Sequence, residues 1–73
     1  MKTQIVDITR EMFEDVMFNP DLVVVQKEST SYSELEHTTS LYVYESNEEN
    51  AKPVEVYVRL IDSTGTFFWK ETL

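Results

Sequence analysis

Fourteen carboxylates and one histidine are the side chains of this 73-residue chain with the most chemistry open to them. Paired carboxylates can move protons or hold a cation, and a histidine can serve as general base when a nucleophile stands beside it and a third group orients it. The spacing favours neither. His37 stands alone in a polar stretch of Ser and Thr, where a histidine is ordinarily a surface residue. Glu48 and Glu49 lie in Ser46-Asn47-Glu48-Glu49-Asn50, which lacks the alternating ligands, central glycine and distal Glu of a calcium loop. A single glycine leaves no backbone cradle for a phosphate. Cysteine is absent, so disulfides are excluded and His37 is the only soft ligand for zinc. The expectation is a protein that binds rather than turns over a substrate, with no catalytic residue, cofactor or metal.

Charge says what it would bind. Six Lys and Arg against 14 Asp and Glu give a net charge of −8, while 41% of the residues are hydrophobic. Acidic disordered tails are poor in aromatic residues; four Tyr, four Phe and a Trp argue for a folded scaffold under the charge. Lys2, Arg10, Lys27, Lys52, Arg59 and Lys70 are scattered and form no basic face, which excludes direct nucleic-acid binding. The complementary arrangement is open to it. Duplex DNA presents one negative charge per roughly 1.7 Å of axis, and rigid carboxylates can imitate that array in a phosphate-binding groove. Candidates are Glu11, Glu14 and Asp15 on a helix, Glu34 and Glu36 in a middle connection, and Glu45, Glu48 and Glu49 near a hairpin. The plain alternative is a solubilising surface.

The elements that must position these groups are a helix followed by strands. Ile8, Met12, Phe13, Val16 and Met17 fall at helical spacing, with Asp7 as N-cap and Asn19-Pro20 as the stop, predicting a helix over 8–18. Beyond Pro20 the period becomes two. Strands are expected at 22–25, 41–44, 54–61 and 66–69, with the glycine of Asp62-Ser63-Thr64-Gly65 turning the last two into a hairpin. Ser33 and Glu36 suit the cap of one helical turn, or an irregular loop.

On the third strand Val54, Val56, Val58 and Leu60 alternate with Glu55, Tyr57 and Arg59. The aliphatic set is expected to face the helix, leaving Tyr57, Arg59 and Ile61, with Tyr42 and Tyr44 from the neighbouring strand, on an open face suited to a protein contact or a homodimer.

Lys52-Pro53, an apolar strand, Asp62-Ser63-Thr64-Gly65 and a final strand resemble the end of the phage uracil-DNA glycosylase inhibitors, and Gln26-Lys27-Glu28-Ser29 is similar to that family's Gln-Glu-Ser segment, with Lys27 interrupting it. The resemblance implies an acidic DNA mimic in which Glu28 and Ser29 insert at the groove of an enzyme. More broadly the chain looks like the small acidic anti-restriction and anti-CRISPR inhibitors of phages.

These features predict one α+β domain over 1–73, an N-terminal helix packed on a mostly antiparallel four-stranded sheet. No apolar run reaches the ~20 residues of a membrane span, and the first residues lack the apolar core of a signal peptide. The expected protein is therefore cytoplasmic, in the host cell if viral, and inhibits a nucleic-acid-binding host protein. The alternative is a homodimeric structural or adaptor protein.

Overall fold

A computed structural model describes residues 4–73. It corrects the expected architecture: the protein is mostly β, a five-stranded antiparallel sheet with one short helix. In chain order these are β1 (Gln4–Asp7), α1 (Arg10–Phe18), β2 (Val23–Ser31), β3 (Glu36–Tyr44), β4 (Pro53–Asp62) and β5 (Gly65–Thr72), arranged in the sheet as β1-β5-β4-β3-β2. β2 to β5 form a meander, and β1 adds to its far edge beside β5.

The extra strand changes how the helix begins. Asp7, expected as the cap, is the last residue of β1 and pairs with Trp69. Thr9 is the N-cap instead, its Oγ1 accepting a hydrogen bond from the Met12 amide at 3.2 Å. At the other end Asn19 leaves the helical region ahead of Pro20, and its side-chain oxygen accepts from the Asp21 amide at 2.8 Å. The stretch weighed as one helical turn is a four-residue connection from β2 to β3, with Leu35 at a positive φ of 54°. Between β4 and β5 the turn forms at its expected place. Asp62 Oδ1 accepts from the Thr64 and Gly65 amides, and Gly65 adopts a φ of 153°.

Alternation along the strands sorts the sheet into two faces, and here too the expectation is reversed. Thr39, Leu41 and Val43 of β3 lie under the helix with their register partners Arg59, Tyr57 and Glu55. Phe13 and Val16 from α1 join Leu41 and Val43 in the core, with Tyr57, Phe68 and Val24 packed around them. The Phe13 ring meets Phe68 at a centroid distance of 5.6 Å and lies under the Arg59 guanidinium at 5.4 Å. The aliphatic stripe Val56, Val58 and Leu60 therefore points away from the helix, and Tyr57 and Arg59 point toward it. The physical reason is shape: one short helix inserts a single large ring, and aromatic and cationic side chains wrap that ring better than a flat row of valines.

No second layer covers the far face among the described residues. Even so Val56 and Val58 are only 6% and 4% exposed, Val56 lying between Tyr42 and Glu71 and Val58 between Ser40 and the large Trp69. No helix is long and apolar enough to cross a membrane among the described residues.

Candidate protein-binding surface

The carboxylates fall into three groups set by the topology. Glu11, Glu14 and Asp15 project from the exposed side of α1. Glu34, Glu36 and Asp62 gather at the sheet end where the β2–β3 and β4–β5 turns lie side by side, since His37 pairs with Ile61 there. Glu45, Glu48 and Glu49 belong to the β3–β4 connection at the opposite end. Glu14 and Ile61 line one small hollow beside Arg10 on the helix side, and Ile61, Leu35, Tyr32 and Asp62 line a larger one of ≈ 440 Å³ at the turn end, where alternation along β3 turns Glu36 to the face away from the helix. The loop group stands apart from both.

Crowding marks the turn end. The neighbouring Glu34 carboxyl, by hydrogen bonding and then repulsion, pushes the Glu36 carboxyl above its ordinary range, and Asp62 adds to the repulsion. Hydrogen bonds from Thr64 hold Asp62 below the usual carboxylate range. Tyr32 is 86% exposed and Leu35 71%, the two most exposed large apolar side chains of this end.

Glu28 behaves differently from the rest. Its Oε1 accepts from His37 Nε2 at 3.0 Å and from Thr39 Oγ1 at 3.3 Å, and Thr39 Oγ1 accepts in turn from Arg59 Nη2 at 3.2 Å. His37 Nδ1 meets Thr30 Oγ1 at 2.9 Å. A polar chain thus crosses β4, β3 and β2 under the helix side of the sheet. Its hydrogen bond from His37 first, and that from Thr39 next, hold the Glu28 carboxyl below its ordinary range. Sequence reasoning missed this network, because it depends on the register that sets Glu28 opposite Thr39 and Thr39 opposite Arg59. Among the described residues, no three His, Cys, Asp or Glu side chains converge on a metal-binding arrangement.

Four of the five described cations rest on aromatic rings. Arg10 lies over Phe68, Lys27 over Tyr42, Arg59 over Phe13 and Lys70 over Tyr57, with ring-centre distances of 4.8 to 6.0 Å. Lys70 also pairs with Glu55 at 3.3 Å. Among the described residues, Glu55 is the carboxylate paired with a lysine or arginine, and Glu28 is held by its hydrogen bond from His37. The helix, turn and loop carboxylates face solvent without such a partner. Of the tyrosines expected on the open face, Tyr42 and Tyr44 are there, opposite Val25 and Val23 of β2, while Tyr57 is under the helix.

The sequence matches the model of the family described as the phage T4 Cef protein family over residues 1–72. Protein cef of Enterobacteria phage T4 is 49% identical over 72 residues, which cover 97% of this chain and 97% of that protein. No solved structure matches. The phage origin expected from the resemblance stands, but the family is not that of the uracil-DNA glycosylase inhibitors.

Proposed function

We propose that this chain, which belongs to the phage T4 Cef protein family, acts by binding: its unpaired carboxylates dock on a basic, nucleic-acid-binding surface of a host protein and occlude it, standing in for phosphates. The observation that carries this reading is the sorting of charge. Four of the five described cations lie over aromatic rings, whereas Glu11, Glu14 and Asp15 on α1 and Glu34 in the β2–β3 turn are exposed, with Glu36 at the same turn end on the face away from the helix. A surface arranged this way speeds encounter with a positive partner and repels nucleic acid itself. The exposed Tyr32 and Leu35 beside Glu34 in the β2–β3 turn supply an apolar contact that pure charge lacks.

The test is competition. The immobilised protein is expected to retain a host nucleic-acid-binding protein at low salt and release it at high salt, and that protein is expected to lose duplex binding when the acidic protein is added. Replacing Glu11, Glu14 and Asp15 with their amides should weaken both effects together. Retention that ignores salt and the amide variants, or a captured protein whose nucleic-acid binding is unaltered, would overturn the reading.

A further inference from the structure

The sheet face opposite the helix carries its own pattern. Register places Lys27, Ser40, Val58, Trp69 and Asp7 in one row across β2, β3, β4, β5 and β1. The adjacent row is Val25, Tyr42, Val56, Glu71 and Ile5. Both rows lie on the open side, where Lys27 leans over Tyr42 at 4.8 Å and Trp69 Nε1 donates to Glu71 at 3.1 Å. Valines occupy the middle of each row. In the first row the cation stands at one edge and a carboxylate at the other; in the second, an exposed aliphatic stands at each edge, Val25 at 42% and Ile5 at 66%.

We propose that this face seats a second copy of the chain, related by a two-fold axis running along β4. Such an axis exchanges the two edges of each row without moving the row. Lys27 then faces the partner's Asp7 twice over, Val25 faces the partner's Ile5, and the two central valines meet their own counterparts. This pairing is isologous, as a closed dimer requires. Other two-fold orientations bring Lys27 to Lys27 and leave the edges mismatched. Packed twisted sheets keep their strands within about 30° of each other, which holds the valine pairs at the axis in register, while at the edges the long, flexible lysine side chain takes up the offset.

Size agrees with a dimer. Five strands at roughly 4.8 Å spacing and about eight residues at roughly 3.3 Å give a face on the order of 24 by 26 Å. Allowing for side-chain relief, that approaches the roughly 800 Å² per partner of a standard interface. A 73-residue chain without cysteine also belongs to the size range in which a second subunit commonly completes the core. The proposal stands apart from the docking reading, since it leaves α1 and its carboxylates on the outer surface of both copies.

Sedimentation velocity across a concentration series is the experiment. The wild-type protein is expected to sediment as a dimer and to remain one at high salt, where screening weakens the mutual repulsion of two chains of −8 each. Lys27→Asp and Asp7→Lys, both at exposed positions, should each weaken dimerisation by roughly tenfold or more. Combining them should restore it, with circular dichroism showing every variant folded. A wild-type monomer at all concentrations overturns the proposal, as does a dimer indifferent to the single charge reversals or not rescued by the exchange.

Discussion

The two faces of the sheet solve the same problem with different materials. Under the helix, an aromatic ring, a guanidinium and a threonine–carboxylate–histidine chain share the space, and Phe13, Leu41 and Thr39 reach 0% exposure. On the far side, valines lie under a rim of Tyr42, Trp69 and Phe67, and no layer closes over them among the described residues. The covered face obtains its order from directional contacts, which fix one arrangement. The open face obtains its burial from bulk alone, which a partner can extend.

Substitutions can break this contrast. Phe13→Ala should have the largest effect, removing about 3–5 kcal/mol of stability by opening a cavity under the helix, read by urea denaturation. Phe67→Ser on the open rim, at a residue 46% exposed, should cost about 1 kcal/mol or less in dilute solution. Equal losses at the two sites would erase the distinction between the faces. A sharper comparison comes from Leu35, a bulky residue held at positive φ. Leu35→Asn should stabilise by up to about 1 kcal/mol, because asparagine tolerates that backbone conformation at less cost. No change in melting temperature would mean the turn relaxes without the left-handed residue.

The smallest effect concerns protons. Glu28 titrates below its ordinary range in the folded protein, so the stability it contributes is present above its unfolded value and fades as pH falls through the lower folded one. Glu36, raised by Glu34, works in the opposite sense: protonation favours the fold, and that gain is lost as pH rises through its raised value. His37→Ala should bring Glu28 back toward the ordinary carboxylate range, and Glu34→Gln should bring Glu36 down toward it. Carboxylate titration by NMR reads both; a Glu28 unmoved by His37→Ala would remove the imidazole from the network.

Much of the sheet was legible because the strands alternate strongly and Gly65 falls where the last hairpin turns. β1 was hidden: Gln4-Ile5-Val6-Asp7 is too short to show a period, and Asp7 next to Ile8 imitates a helix start. The face assignment failed at β4, where both alternating sets can be buried and the aliphatic one was the more core-like. β3 held the better signal, since Thr39, Leu41 and Val43 oppose Tyr42 and Tyr44, and the smaller side chains leave room for a phenylalanine from above. The exposed carboxylates could be named from sequence, but the capture of Glu28 by His37 and Thr39 could not, since it is a product of register.

The pairing of β1 with β5 joins the first strand in chain order to the last, Gln4 beside Thr72. Every other strand pair in the sheet is a hairpin between neighbours and can zip as soon as both arms are synthesised. β1 alone must wait for β5 to be translated. Between the emergence of β1 and that of β5 the first of these strands has no partner in the sheet, so closing this edge is the one pairing that spans the whole meander.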